Sequence, residues 1–274
     1  MNSFQDREYT VCILGAGVMG TAVLSAILKS EFTPYPKGFI CCTGSEESAI
    51  RVKHAFPNVD TSFGGNNDKA VSQSDVVILG CKPFMCEKIL ESVKTSIEGK
   101  LLISLAAGWT IDQLQKYSTR VARVMTNTPA KFGYGMAVIS LNEGAEPDRE
   151  LIEKLINPVG KAIFLPEKNM DAATSLVGSG PAFCLLMMES LIDGGVRMGI
   201  PYAAAKECAA KVMEGTARMV IETGDHPAVL KSAVCTPGGT TIGGLMVMED
   251  KGLRSAIARG VEEAAVIAAQ LGKK

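Results

Sequence analysis

The chain of 274 residues carries a net charge of −1, with 47% hydrophobic and 21% charged residues. That length suits one large or two ordinary domains with buried cores, and the near-neutral charge excludes the basic footprint of a nucleic-acid or anionic-membrane binder. Eight cysteines without CxxC spacing and only two histidines, His54 and His226, exclude a disulfide framework and a His-based metal site. The cysteines sit mostly in apolar runs such as VCIL, FICC and AFCLL. Buried thiols of this kind belong to a reducing compartment, so the cytoplasm is the expected location. The opening MNSFQDREYT is polar and lacks a signal-peptide core. No apolar run is expected to span a bilayer.

The first half alternates apolar strands with helix-like stretches. Strands are expected at 9–14, 38–42, 75–80, 100–105, 120–125, 136–141 and 162–165, and helices near 18–30, 46–55, 84–97, 110–117 and 147–157. Such alternation predicts a parallel, doubly wound sheet, and strands apolar on both faces fit a sheet covered on both sides. The first strand runs into Gly15-Ala16-Gly17-Val18-Met19-Gly20 and then a helix. This is GxGxxG in its required context. Gly15 permits the turn, Gly17 lets backbone approach a pyrophosphate at the helix N-terminus, and Gly20 lets the helix pack on the strand.

The second strand ends in Thr43-Gly44-Ser45, with no acid at its tip to take a ribose hydroxyl. Hydroxyls and amides there suit a 2′-phosphate, so NADPH is favoured and NADH is admitted. Glu46 and Glu47 oppose this unless they point away, and Arg51 would offset them. Thr43 and Ser45 also read as helix caps, a role compatible with phosphate binding. Asn67 follows before the next strand. Gly80-Cys81-Lys82-Pro83 and Ala106-Ala107-Gly108 lie at carboxyl ends of strands, where ligands of such sheets bind. Lys82 is either a ligand contact or a solvated surface lysine. The small residues at 106–108 admit a nicotinamide ring. Asn127, in Met125-Thr126-Asn127-Thr128-Pro129, either orients a ligand or satisfies the turn.

Beyond Pro166 no convincing strand occurs, and helices are expected at 170–198, 202–222, 227–234, 240–250 and 253–270. Gly199 marks a helix end and Pro201 a start. The loop Val177-Gly178-Ser179-Gly180-Pro181 interrupts the first of these, for close packing or for ligand contact. The run AFCLLMMESLIDGGV is too apolar to face solvent, which predicts intertwined helices at a subunit interface. The fold class is therefore α/β: an N-terminal Rossmann-type doubly wound sheet over 1–167, followed by an all-helical domain over 168–274 for dimerisation and substrate binding.

Cys235-Thr236-Pro237-Gly238-Gly239-Thr240-Thr241 separates two of the short helices. Pro237 stops the first, the glycines open the backbone, and Thr240 or Thr241 caps the second. Amides and hydroxyls exposed at a helix N-terminus make a site for a small carboxylate. An alcohol dehydrogenase needs a His or Lys base, and none stands in this loop. An imine arrives largely protonated, and a threonine hydroxyl suffices to position its nitrogen.

The stretch DAATSLVGSGPA at 171–182, His226-Pro227 and CTPGGTTI at 235–242, together with GAGVMG, GCKP, MTNTP and GGVRMGIP, resemble the pyrroline-5-carboxylate reductase family along essentially the whole chain. The resemblance implies NAD(P)H-dependent reduction of 1-pyrroline-5-carboxylate to L-proline, the last step of proline biosynthesis. It also implies an interlocked homodimer, assembling further into a decamer. Thr241 would face the imine nitrogen as the catalytic residue. Gly238, Gly239 and Thr240 would hold the carboxylate, with Thr236 beside them where the family commonly has serine. Asn67 and Lys82 would lie by the cofactor. Next to Gly224, where relatives often carry a Glu, this sequence reads Asp225-His226-Pro227. A β-hydroxyacid dehydrogenase would need a catalytic lysine just past the boundary, where Lys168 is the sole candidate. A non-catalytic NADP sensor would have no use for the Thr-rich loop.

Overall fold

The structure, a computed structural model, describes Phe4 and residues 7–271. Part of the polar opening stretch (residues 1–3, 5 and 6) lies outside the described residues. The strands among the described residues are β1 (Thr10–Leu14), β2 (Gly38–Thr43), β3 (Asp60–Phe63), β4 (Val76–Leu79), β5 (Leu101–Ser104), β6 (Arg120–Met125), β7 (Gly135–Leu141) and β8 (Gly160–Phe164). They form one sheet in the order β3-β2-β1-β4-β5-β6-β7-β8. Alternation along each strand sends side chains to opposite faces. Val11, Ile13, Val76, Ile78, Leu101 and Ile103 enter one core. Cys12, Leu14, Val77, Leu79 and Leu102 enter the other. Both faces are covered, by α1 (Val18–Leu28), α2 (Glu46–Ala55), α3 (Asn67–Ser72), α4 (Cys86–Ser92), α5 (Lys94–Ile97), α6 (Ile111–Leu114) and α7 (Arg149–Ile156).

Two features depart from the expected sheet. β3 is an additional strand, DTSF, pairing with β2 at the edge. None of its residues is fully buried, so it carries no apolar signal. β7 runs antiparallel to β6, so the sheet is not wholly parallel. The connection is one 3₁₀ segment, Thr128–Phe132, closed by Gly133 at φ +78°. It is too short for the crossover that a parallel neighbour requires. The expected helix at 84–97 is broken into a 3₁₀ turn, Pro83–Met85, followed by α4 and α5.

The remaining elements are α8 (Met170–Ala173), a π-helical segment Thr174–Ser179, α9 (Gly180–Arg197), α10 (Tyr202–Thr223), α11 (Pro227–Ala233), α12 (Thr240–Asp250) and α13 (Leu253–Leu271). The expected interruption at Val177–Pro181 is therefore a wide helical turn. It joins its neighbours into a continuous helix, Glu167–Arg197, which contains an 18-residue stretch of mean hydropathy 1.5. By length and composition that helix passes the criterion for a membrane span, contrary to the reading of the sequence, because the glycines do not break it. The chain divides into two compact units. The first runs to Ser179 and takes back the end of the chain from Glu263; the second is Gly180–Glu262. Strand texture ends near residue 167, yet Met170, Ala173 and Val177 pack with Met125 and Val138, which keeps this stretch with the sheet.

The second unit has a small core of its own. Ile192, Ala205 and Ala209, with Met188 against them, are its buried apolar cluster. Leu185, Leu186, Met198, Ile221 and Met246 are each more than 60% exposed.

Candidate functional site

The strand order reverses between β1 and β4, the place where doubly wound sheets open a ligand crevice. A cleft of about 890 Å³ lies there, at the carboxyl ends of β1, β2, β4 and β5. Its floor is the glycine turn. Gly15 sits at φ +97°, and a Cβ there would lie 2.6 Å from the Cys81 nitrogen. The Gly15 and Ala16 amides donate to the Cys42 carbonyl at 3.1 and 2.9 Å, which ties the turn to β2. Gly17 caps α1 without a side-chain bond, and a Cβ there would meet only the Gly80 carbonyl, at 3.9 Å. A Cβ on Gly20 would lie 2.6 Å from the Gly15 carbonyl, and one on Gly80 2.8 Å from the same oxygen. Glycine at both positions lets α1 close onto β1 and β4. Helix geometry leaves the first amides of α1, including those of Val18 and Met19, without intrahelical partners beside the cleft.

The tip of β2 differs in detail from the sequence reading. Thr43 lines the cleft as expected, with its hydroxyl committed to the Ser45 carbonyl at 2.9 Å. Ser45 accepts the Ser48 amide as the cap of α2, and is not on the cleft wall. Ser48 and Arg51 take that place, the Arg51 guanidinium donating to the Ser48 hydroxyl at 2.7 Å. Glu46 and Glu47, exposed in the first turn of α2, lie off the wall. Ser48 was missed in the sequence; it lies three residues past the cap, one helical turn on, and that spacing was the available signal.

Asn67, Lys82, Pro83, Ala106 and Ala107 all line the cleft. The Lys82 ammonium lies 5.9 Å from the Phe84 ring centre, and the Trp109 indole donates to the Pro83 carbonyl at 3.0 Å, fixing that wall. Gly108 and Asn127 do not line it. Gly108 makes the turn after β5 at φ +78°. The Asn127 side-chain carbonyl accepts the Met136 amide at 3.1 Å, which is the turn-satisfying role. Its neighbour Thr126 does face the cleft, with a buried hydroxyl that has no hydrogen-bond partner. Such an orphan is costly unless a ligand completes it. The cleft wall also holds the Cys81 thiol, with the Cys86 thiol buried beneath it. The Cys81 and Cys86 sulfurs lie 3.4 Å apart. Donation from Cys86 holds the Cys81 thiol below its usual range and pushes Cys86 up.

The Thr-rich loop belongs to the second unit. Gly238 adopts φ +67°, and the Gly239 amide donates to the Thr236 carbonyl at 3.0 Å. A Cβ on Gly239 would collide with the Thr236 hydroxyl oxygen. The cap of α12 is Gly239, with no side-chain bond, where the sequence suggested Thr240 or Thr241. Those threonines instead occupy the first turn, and the geometry leaves their amides unspent. The Cys235 thiol donates to the Lys231 carbonyl at 3.3 Å and so belongs to the end of α11.

A family model described as pyrroline-5-carboxylate reductase dimerisation matches residues 167–271. Another, described as NADP oxidoreductase coenzyme F420-dependent, matches residues 10–108. A pyrroline-5-carboxylate reductase of Kluyveromyces lactis is 50% identical, over 97% of this chain and 99% of its own. The chain belongs to the pyrroline-5-carboxylate reductase family. A Schizosaccharomyces pombe member is 41% identical over 96% of this chain and 99% of its own. Among solved structures, the Coxiella burnetii reductase superposes with a TM-score of 0.86 at 27% identity, covering 98% of this chain and 100% of its own. The Plasmodium falciparum reductase, with NADP bound, gives 0.84 at 25% identity over 96% and 98%. The exposed apolar helices Gly180–Arg197 and Tyr202–Thr223 thus fall within a matched dimerisation domain, and the chain is a homo-oligomer.

Proposed function

We propose that this protein reduces 1-pyrroline-5-carboxylate to L-proline with NADPH. The match to reductases of that name along nearly the whole chain carries the reading. The cleft suits a dinucleotide: open glycine backbone, unspent amides at the start of α1, and the orphan Thr126 hydroxyl. When bound, the reduced nicotinamide supplies hydride to the imine carbon. The unspent amides of Val18 and Met19, with the open Gly17 backbone beside them, hold the pyrophosphate. Ser48 and Arg51 hold the 2′-phosphate, a bidentate-capable guanidinium beside a hydroxyl. Asn67 and Lys82 lie along the cofactor, and Ala106 and Ala107 leave room for the ring. Thr240 and Thr241 amides, with the open Gly238-Gly239 backbone and Thr236 beside it, hold the substrate carboxylate at the start of α12. The Thr241 hydroxyl accepts the iminium N–H and orients it; substrate already protonated needs no base.

Lys168, the lysine that a β-hydroxyacid dehydrogenase reading would use, is exposed in a single 3₁₀ turn and absent from the cleft wall. The helical region from 168 onward serves dimerisation and substrate binding, with dimers assembling into a decamer. Eight free cysteines suit a reducing cytoplasm. The test is NADPH oxidation with racemic 1-pyrroline-5-carboxylate, with L-proline measured as product. Folded, oligomeric protein that makes no proline would overturn the reading. KM should be lower for NADPH than for NADH. Arg51→Ala should raise the NADPH value about tenfold or more, the size of one lost charge-assisted hydrogen bond, and leave NADH nearly unchanged.

A further inference from the structure

We propose that Cys81 and Cys86 form an oxidation site: a hydroperoxide links them as a disulfide, and the linkage weakens dinucleotide binding. The second half rests on the reading of the cleft as the dinucleotide site. Three observations carry it. The two sulfurs already touch at 3.4 Å, and the residues are separated by one tight turn, Lys82 to Met85. A disulfide bond length near 2.05 Å asks for an approach of roughly 1.4 Å, within reach of side-chain rotation and a small shift of the 3₁₀ turn. Cys81 is partly exposed on the cleft wall, whereas Cys86 is sealed beneath it. One thiol therefore meets the oxidant and the other waits to resolve it. By contrast, Cys12 and Cys42, 3.8 Å apart, are both buried. Third, the position of Cys81 is coupled to the glycine turn. A Cβ on Gly15 would lie 2.6–2.8 Å from the Cys81 nitrogen, Cβ and Cα, so these backbones are packed without slack.

The chemistry balances with the hydroperoxide as sole oxidant. The Cys81 thiolate attacks the peroxide; an S–O bond forms, the O–O bond breaks, and the leaving oxygen takes up the proton that Cys81 released. The Cys86 sulfur then attacks the Cys81 sulfur. An S–S bond forms, the S–O bond breaks, and hydroxide leaves as water with the Cys86 proton. Two thiols are oxidised and one hydroperoxide is reduced to an alcohol, or to water for hydrogen peroxide. Pulling Cys81 toward Cys86 moves the wall against which Gly15 is fitted.

The experiment treats the full-length protein with a small excess of hydrogen peroxide, with and without NADPH. It maps disulfides by peptide mass and measures NADPH affinity by fluorescence titration. A Cys81–Cys86 linked peptide is expected, slowed by bound NADPH and removed by a dithiol reductant. Affinity should fall about tenfold as the linked fraction grows, the scale of one charged hydrogen bond lost. Cys86→Ser, which leaves the cleft wall intact, should bind NADPH like the reduced parent and resist that loss; Cys86→Ala serves if serine unfolds the site. Absence of the linked peptide while other thiols oxidise overturns the proposal. So does a linked protein with unchanged affinity, or a Cys86→Ser protein that loses affinity equally. Reduced parent that binds no NADPH overturns the dinucleotide reading instead, and the peptide map still decides the linkage.

Discussion

At the scale of single residues, the loop threonine and the glycine turn make opposite kinds of contribution. Thr241 supplies one oxygen. If that oxygen only positions the iminium, Thr241→Ala should lower kcat/KM roughly tenfold to a few hundredfold, the value of about 1.5–3 kcal/mol for a hydrogen bond to a charged group. NADPH affinity should hardly move, and Thr241→Ser should retain most activity. Alanine with parental kinetics would return the loop to a plain turn. Gly20 supplies the absence of an atom. Gly20→Ala puts a methyl 2.6 Å from the Gly15 carbonyl, a backbone contact that cannot swing aside. NADPH affinity should fall by an order of magnitude or more, roughly 1–3 kcal/mol for overpacking, while the imine site is untouched. Buried acids set the alkaline limit. Burial, and to a lesser degree neighbouring Tyr35, pushes the Tyr9 phenol up; burial, then Cys42, pushes the Cys41 thiol to about 12. Both hold their protons more tightly folded than unfolded. Their stabilisation is complete below the unfolded values, roughly 8.5 for a thiol and 10 for a phenol, and is lost as pH rises through the folded ones. Thermal melts should therefore drop steadily above about pH 9, and Cys41→Ala should flatten the decline. A melting temperature constant to high pH would contradict this.

At the scale of elements, the start of the long helix is held to the sheet by charge as well as packing. Arg123 on β6 is 4% exposed and reaches Glu167 at 2.9 Å and Asp171 at 3.4 Å. Its Nε and the second Glu167 oxygen are buried without partners, so the clamp is tight but incompletely satisfied. Glu167 also accepts the Ile111 amide at 3.2 Å. Replacing Arg123 with Met would keep volume and strand two carboxylates. The cost should be about 2 kcal/mol, below the ~3–5 of a fully buried pair because both acids are over a third exposed or close to it. Denaturant midpoints check this; an unchanged midpoint means the pair is neutral against methionine. None of it was visible in the sequence, where Arg123 reads as one of two arginines in the otherwise apolar strand RVARVM.

At the scale of the whole molecule, the helical unit requires a partner. Its own core is three buried residues with Met188, while Leu185 and Leu186 are 62% and 63% exposed in the monomer. Leu186→Asp should dissociate or unfold the protein, because a charge placed in an apolar interface has no partner. Light scattering should give at least a dimer for the parent at micromolar concentration. A stable, active monomer would show that these leucines are ordinary surface residues.

What the sequence determined by itself was local and periodic. Apolar runs of strand length, GxGxxG between strand and helix, and the Thr-Pro-Gly-Gly-Thr-Thr junction each dictate their own backbone. The position of α12 at Thr240–Asp250 follows from a proline, two glycines and the helix formers after them. What tertiary structure decided was everything that depends on which segments meet. The edge strand β3 is defined by pairing with β2 rather than by hydrophobicity, and β7 reverses because a 3₁₀ connection is too short to cross over. Ser45 and Ser48 are chemically alike, and only the rotation of α2 turns one to the cap and the other to the cleft. Asn127 and Thr126 are adjacent, and only the pairing of β6 with β7 commits the first to Met136 and leaves the second facing the ligand space. Side-chain type is written in the sequence; which of two like neighbours has an unspent polar atom is settled by packing, because hydrogen bonds are made between segments distant along the chain.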